Sequence, residues 1–191
     1  LDAAGSLTIQ GGTGTLDVAA GSVRNTGDGW VYSSGISVDG DFTVKGGHVT
    51  ARGGSVESRD ICFSIGVNMD SDTRNKALLV TGGTLTAIAG EAYELQEDGT
   101  KREVFSRGVY MYRGSVSVSG SGKLTAQSVP AMVEGGILSN GLYISVGDLL
   151  VAGAGEVEAS GAYGVYISGG GIRLDGGKLT AASTQPADAY G

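Results

Sequence analysis

The sequence predicts an all-β fold: a right-handed, single-stranded parallel β-helix (a β-solenoid) of about six turns, each with three short strands. Three observations indicate this fold. A short phrase of apolar residues recurs six times along the chain. Every copy alternates apolar and polar residues with a period of two, as strands with one buried face do. Glycine makes up 36 of the 191 residues, which supplies the sharp corners that such a coil needs.

The recurring phrase is apolar-x-apolar, a glycine corner, and then x-apolar-x-small. One copy spans residues 78–87 and another spans residues 172–181. A second phrase, Gly-apolar-x-apolar, precedes five of the copies, as at residues 108–111 and 164–167. One such unit cannot bury its apolar edge alone, but stacked units share a continuous core. We expect a right-handed coil because crossovers between parallel strands almost always have that hand.

Aligning the copies predicts three buried columns, one for each strand of the turn. The first column contains Ile36, Val67, Val109, Leu142 and Val165, the second Phe42, Leu78, Val116, Leu149 and Ile172, and the third Val49, Leu85, Leu124, Val157 and Leu179.

The longer copies carry insertions, at residues 19–34, 52–65, 88–107 and 127–140. All four fall between the third strand of one turn and the first strand of the next, so we expect them on one flank. Residues 93–104 read as a β-hairpin that turns at Asp98-Gly99. Trp30 and Cys62 fall in insertions, and we expect both side chains to be buried there. Loops grouped on one side of a rigid scaffold favour recognition, and tolerated surface growth is the alternative.

The length suits a single domain over residues 1–191. The final triplet, residues 189–191, repeats residues 162–164, which lead directly into a strand. We therefore expect the chain to be a fragment of a longer surface protein. Neither end shows a capping segment, so end-to-end self-association is an expected form of partnership.

Composition excludes several function classes. The formal net charge of −7 argues against nucleic acid as a partner. No run of about 18 apolar residues occurs, so membrane insertion is not expected. The chain has one cysteine, Cys62, and one histidine, His48, which excludes an intrachain disulfide and a zinc site built from these residue types. His48 is expected to face solvent.

Tyrosines align on the outer face of the first strand. The alignment places Tyr110, Tyr143 and Tyr166 in one column, with Tyr112 beside it. Their flat, amphipathic rings suit the faces of sugars, so these four residues form a candidate glycan-binding ladder. The alternative is that the rings only stabilise the sheet from strand to strand.

The same alignment superposes two pairs of aspartates. Asp39 lies over Asp70 and Asp41 lies over Asp72. Because like charges one strand apart repel, a compensating cation is expected. Calcium fits, since it gathers carboxylate oxygens, and it is the one cofactor that the sequence suggests. The alternatives are salt bridges to Arg74 or Arg113, or aspartates at exposed turns that need no partner.

Catalytic residues are not selected by any motif. A serine column has no histidine partner, and hydrogen bonding at corners explains it better; its members are Ser33, Ser64, Ser106 and Ser139. Arg107 or Arg113 could serve as the base of a polysaccharide lyase, and a glycosidase would need two carboxylates.

Two stretches resemble a known repeat family. Residues 80–87 read Val-Thr-Gly-Gly-Thr-Leu-Thr-Ala, and residues 174–181 read Leu-Asp-Gly-Gly-Lys-Leu-Thr-Ala. Both are similar to the Gly-Gly-Thr-Val-Thr-Ala repeats of Gram-positive bacterial cell-surface proteins. The resemblance implies β-solenoid stacking and an extracellular, cell-surface location, and it brings no shared catalytic residues. A looser likeness is to pectate-lyase-like β-helices, which include lyases, glycosidases and non-catalytic sugar binders.

These observations predict a non-enzymatic β-solenoid module of a secreted or cell-surface protein, a structural spacer or adhesin. Its expected partners are glycans or a host or cell-wall surface. The alternative is a carbohydrate-binding β-helix that uses the tyrosine ladder, with calcium assisting, and the third reading is a polysaccharide lyase or hydrolase.

Overall fold

The structure is a computed structural model, and it describes residues 1–70, 75–95, 104–129, 131–132 and 138–184. This part of the chain contains no helix, so the prediction of an all-β fold is confirmed. None of the described residues forms a helix with the length and hydropathy that crossing a bilayer requires.

The strands follow one another closely along the chain. In order they are β1 (Asp2–Ala3), β2 (Leu7–Ile9), β3 (Thr15–Ala19), β4 (Val23–Asn25), β5 (Val31–Val38), β6 (Phe42–Val44), β7 (His48–Arg52), β8 (Val56–Ser58), β9 (Cys62–Met69), β10 (Lys76–Val80), β11 (Thr84–Ile88), β12 (Ala92–Glu94), β13 (Val104–Val118), β14 (Lys123–Gln127), β15 (Ala131–Met132), β16 (Ser139–Val146), β17 (Leu149–Ala152), β18 (Glu156–Gly161), β19 (Tyr163–Gly169), β20 (Ile172–Asp175) and β21 (Lys178–Ser183).

The strands form stacked parallel sheets. The first sheet has the order β1-β5-β9-β13-β16-β19, and the second has the order β2-β6-β10-β13-β17-β20. The long strand β13 belongs to both, which joins them into one 11-stranded sheet. The third sheet has the order β3-β7-β11-β14-β18-β21. All strand pairs between these elements are parallel, so the chain builds six layers that start at β1, β5, β9, β13, β16 and β19.

The register of these sheets confirms the three predicted columns. Val109 pairs with Val67 and Leu142, Val116 with Leu78 and Leu149, and Leu124 with Leu85 and Val157. These side chains are fully buried and form one continuous apolar cluster. Burial fails only in the last layer, where Ile172 is 50% exposed because β20 pairs with β17 on one side alone.

A fourth sheet was not predicted. Strands β4, β8, β12 and β15 pair in parallel within the segments that the sequence analysis treated as insertions. The prediction of three strands per turn is therefore wrong for four of the layers. Each strand has only two or three residues, so the alternation is too short to recognise. Their core is a small separate cluster of Val56, Cys62, Ala92 and Val104.

Cys62 belongs to this small cluster and is fully buried, as predicted. Its thiol donates a weak hydrogen bond to the Tyr93 carbonyl at 3.7 Å. Burial raises the pKa of the Cys62 thiol to about 12, so the thiol stays protonated. Most of the predicted hairpin, residues 96–103, lies outside the described residues.

The serine column joins the layers at their corners. The Ser64 hydroxyl donates to the Gly54 carbonyl at 2.8 Å in one layer and accepts from the Gly90 amide at 2.7 Å in the next. Ser33 and Ser106 make the same pair of contacts one layer away on either side. The expectation that these serines bond to corner backbone is confirmed.

Replacing Ser64 with alanine is expected to lower the free energy of unfolding by about 1–3 kcal/mol, because two hydrogen bonds are lost, each worth about 0.5–1.5 kcal/mol. Denaturant unfolding of Ser64→Ala measures this loss. The matched control is Ser115→Ala, on the exposed side of β13, which should change stability by less than about 0.5 kcal/mol. Equal effects of the two substitutions would contradict the structural role of the column.

Replacing Gly147 with alanine is expected to destabilise the fold by at least about 2 kcal/mol. Gly147 has a φ of 144°, and a Cβ atom there would collide with the Gly114 carbonyl oxygen. Gly171→Ala is the control, since the nearest atom to its Cβ would be an Asp148 carboxylate oxygen at 3.8 Å. The midpoints of denaturant unfolding compare the two variants, and a stable Gly147→Ala protein would count against this packing of β13 on β16.

Candidate functional site

The predicted tyrosine column lies on the first sheet. Tyr110 pairs in register with Tyr143, and Tyr143 pairs with Tyr166. The Tyr110 and Tyr143 ring centroids are 5.6 Å apart, and the Tyr143 and Tyr166 rings stack at 5.3 Å with an interplanar angle of 11°. We call these three residues the tyrosine ladder.

A second aromatic column runs beside it and was missed by the sequence analysis. Tyr32, Phe63 and Phe105 pair in register and stack with centroid distances of 4.6 and 4.8 Å. We call these three residues the phenyl ladder. A signal for it is present in the sequence, since each ring directly precedes a serine of the corner column. The alignment showed that pattern, but it gave no reason to expect the rings to contact each other.

A single glycine brings the two ladders to the same side of the sheet. In the first part of β13 the even-numbered side chains, Val104 and Ser106, point into the core. In the next part the odd-numbered ones, Val109 and Met111, do so, so the alternation of buried and outward side chains inverts between Ser106 and Val109. Gly108 lies at the inversion. A Cβ atom on Gly108 would lie 2.5 Å from the Gln127 amide nitrogen of the third sheet, so only glycine allows this approach.

Arg107 lies where the two ladders meet and is only 5% exposed. Its guanidinium carbon is 4.3 Å from the Phe105 ring centroid, 4.6 Å from that of Tyr110 and 4.0 Å from that of Tyr143. Such contacts between a cation and ring faces are attractive, and they strengthen where water is excluded. Arg107 therefore joins the phenyl ladder to the tyrosine ladder.

The electrostatics of the site depend on burial first and on Asp70 second. Burial raises the pKa of Tyr110 to about 12 and raises that of Tyr32, and the Asp70 carboxylate adds to both increases. Burial also lowers the pKa of Arg107, which the neighbouring phenols and Asp70 partly oppose. An arginine remains charged even so, and the two phenols remain neutral donors at physiological pH.

A shallow groove of about 570 Å³ is lined by the phenyl ladder, Arg107, Tyr110 and Tyr143. We call it the aromatic groove; its described lining also includes Trp30, Asp70, Tyr112 and Ser145. The rings of the phenyl ladder face one another, whereas the Tyr110 and Tyr143 rings are tilted by 49°. Trp30, at one end of the groove, is 64% exposed. Tyr166 is 42% exposed and continues the tyrosine ladder beyond Tyr143, next to the groove, where it contacts Tyr163.

The exposure of Trp30 overturns the prediction that it is buried under a loop. Its indole contacts Tyr32 at 6.4 Å and Phe63 at 6.2 Å between ring centroids, both with tilted planes. It therefore rests against the end of the phenyl ladder and leaves most of its surface open. His48 is exposed, as predicted.

The aspartates predicted to bind calcium have separate surroundings where the structure describes them. The Asp41 carboxylate accepts a hydrogen bond from the Ala77 amide at 2.9 Å, and Asp70 lines the aromatic groove. Asp72 and Arg74 lie outside the described residues. No group of three or more histidine, cysteine, aspartate or glutamate side chains in the described ranges could hold a metal ion. Calcium binding at Asp39, Asp41, Asp70 and Asp72 stays a prediction.

The arginines considered for lyase chemistry differ in their settings. Arg107 is enclosed by rings, whereas Arg113 is exposed and lies 6.0 Å from the Tyr112 ring centroid.

Comparisons with known proteins find no matching family, no similar curated protein and no similar solved structure.

Tyr110 should titrate near pH 12 and Tyr32 above its ordinary value, as followed by the ultraviolet absorbance of tyrosinate. Because a phenol with a raised pKa favours the folded state only while protonated, this stabilisation is present below about pH 10 and is lost as the pH rises toward 12. Tyr110→Phe should remove the late titration. Asp70→Asn should lower the pKa of Tyr110 toward its ordinary value, and an unchanged titration would contradict the assigned role of Asp70.

Proposed function

We propose that the chain is a non-enzymatic, adhesin-like module of a bacterial cell-surface or secreted protein and that it binds carbohydrate in the aromatic groove. The observation that carries the proposal is the groove itself, with the exposed Trp30 indole at one end, Tyr143 toward the other end and a charged donor, Arg107, between them. Such pockets, lined mainly by aromatic residues with a few polar groups, are usual ligand sites.

The proposal includes the finer architecture. Parallel layers with a continuous core are what a right-handed β-helix would have, and the known hand of parallel crossovers supports that hand. The similarity of residues 80–87 and 174–181 to Gram-positive surface repeats supports export to the cell surface. A crystal structure in which the chain passes from layer to layer with the left hand would overturn this part.

Sugars suit the groove because of how their surfaces are divided. The C–H face of a pyranose packs against an aromatic face, while its hydroxyl groups at the ring edge form hydrogen bonds. Trp30 offers an exposed ring at one end of the groove, Tyr143 lies toward the other end with Tyr166 stacked on it, and Arg107 and Tyr110 offer donors near the centre. An extended saccharide could therefore contact both ends at once.

The groove supports binding better than cleavage. A glycosidase needs two carboxyl groups across the scissile bond, and Asp70 is the one carboxylate among the described residues that line the groove. We therefore assign no catalytic role to the groove.

A structural spacer without a ligand is the second candidate, because the stacking itself favours it. The rings of the phenyl ladder lie 4.6 and 4.8 Å apart with interplanar angles of 4° and 16°, so they stabilise adjacent strands directly. In a spacer, the layers would provide stiffness, and uncovered edge strands such as β20 could pair end to end with a second copy.

Replacing Trp30 or Tyr166 with alanine should weaken glycan binding about fivefold each, because each removes an exposed ring contact worth on the order of 1 kcal/mol. A glycan array identifies a ligand, and calorimetry with that ligand gives the dissociation constants. Tyr93→Ala is the matched control, since Tyr93 belongs to the fourth sheet and does not line the groove.

The outcomes separate the two candidates. Binding that falls in Trp30→Ala and Tyr166→Ala but not in Tyr93→Ala supports the carbohydrate module. If the parent protein retains no glycan from the array, the carbohydrate proposal is wrong and the spacer remains. Repeating the assay with calcium and with a chelator tests whether calcium assists binding.

A further inference from the structure

The aromatic groove holds a buried donor without an acceptor. The Arg107 Nε atom is fully buried and has no hydrogen-bond partner within the described part of the chain. The ion pairs formed by the described residues do not include Arg107. A buried cation normally has an anion or several acceptors beside it, because removing it from water is costly. Arg107 instead has ring faces, a hydrogen bond to the Tyr110 hydroxyl oxygen and the charge of Asp70 nearby, and Nε still lacks an acceptor.

Ring faces do not supply what a guanidinium lacks. The rings of Phe105, Tyr110 and Tyr143 attract the charge through their π electrons. They accept no hydrogen bond along the plane of the guanidinium, where its N–H groups point. An acceptor with two oxygens in one plane, such as a carboxylate, has the shape that this plane matches.

The rest of the groove is also rich in donors. The Tyr110 hydroxyl stays protonated over the physiological range, so it can donate. The stacked rings of the phenyl ladder present their edges to the groove, and aromatic edges carry partial positive charge. Donor groups, a cation and positive ring edges thus meet around Arg107.

We propose that the glycan bound in the aromatic groove is acidic and that Arg107 receives its carboxylate, which would belong to a uronic acid or a sialic acid. This inference rests on the proposed carbohydrate function and narrows its ligand class. The pyranose ring that bears the carboxylate lies over the meeting point of the two ladders, and the neighbouring sugars extend toward Trp30 or Tyr166.

Asp70 limits the charge of the ligand. Its carboxylate lines the same groove and acts on Tyr32, Arg107 and Tyr110 together. A second anionic group on the ligand would approach Asp70, and the whole chain carries a net charge of −7. The groove therefore suits sugars with one carboxylate in a neutral context better than densely sulfated chains.

Matched pairs of saccharides test the inference on the unmodified protein. One pair is sialyllactose and lactose, and the other is a glucuronate-containing oligosaccharide of hyaluronan and its carboxyl-reduced form. We expect at least one acidic member to bind tenfold or more tightly than its neutral partner, and added salt should reduce this preference. The pair that shows the preference identifies the source of the carboxylate.

Variants assign the preference to Arg107. In Arg107→Gln, the dissociation constants of the acidic and neutral members should lie within about twofold of each other. Arg107→Lys should keep only part of the preference for the acidic member, because lysine lacks the planar guanidinium that pairs with a carboxylate. Asp70→Asn should increase the preference for the acidic member severalfold, because it removes a negative charge from the groove. Thermal unfolding checks that each variant is folded. If Arg107→Gln is unfolded, the comparison of acidic and neutral saccharides on the parent protein still tests whether the groove prefers acidic ligands.

The two proposals fail in different ways. Equal binding of acidic and neutral members, or glycan-array ligands that are all neutral, overturns the acidic-ligand inference and leaves the carbohydrate proposal standing. A preference for the acidic member that survives in Arg107→Gln overturns the role of Arg107. Absence of binding to any glycan overturns both proposals.

Discussion

Everything in this protein depends on keeping adjacent parallel strands in one register. A shift of one residue between β13 and β16 would turn Val109 and Leu142 out of the core and turn the tyrosines in. The buried columns oppose such a shift because each step exposes several apolar side chains at once. The corner serines oppose it as well, since the Ser64 hydroxyl donates to a specific carbonyl in one layer and accepts from a specific amide in the next. The same register that buries the core therefore aligns the rings of the groove.

The sequence predicted the repeating part of the structure well because repetition averages out local ambiguity. Six aligned phrases identify the columns through Val109, Val116 and Leu124, and they also place Tyr110 over Tyr143. The fourth sheet was missed because its strands are very short: Val56–Ser58 has one buried apolar side chain, and Val23 of Val23–Asn25 is exposed. Trp30 was predicted wrongly because its place in an insertion suggested burial under a loop, whereas it packs on Tyr32 of its own layer and Phe63 of the next.

The candidate site shows the same division between local and long-range information. The tyrosine ladder could be predicted since its members occupy the same place in every repeat. Arg107 could not, because its importance comes from rings of both ladders and from the inverted alternation at Gly108. The inversion itself recurs, since Gly35, Gly66 and Gly141 approach the third sheet as Gly108 does. Only β13 carries a ring of each ladder on the two sides of that glycine. The repeats therefore predict each column of side chains, whereas the place where the phenyl ladder and the tyrosine ladder meet depends on three-dimensional packing.

The staggering of the ladders has an evolutionary consequence. The phenyl ladder occupies the second, third and fourth layers, the tyrosine ladder occupies the fourth, fifth and sixth, and Arg107 stands in the layer that they share. Duplication of one layer within either ladder would lengthen that ladder by a single strand spacing of about 4.8 Å. The junction at Arg107 would be unaffected. Gene-level gain or loss of repeats could thus tune how long a chain the protein accommodates without redesigning its central contact.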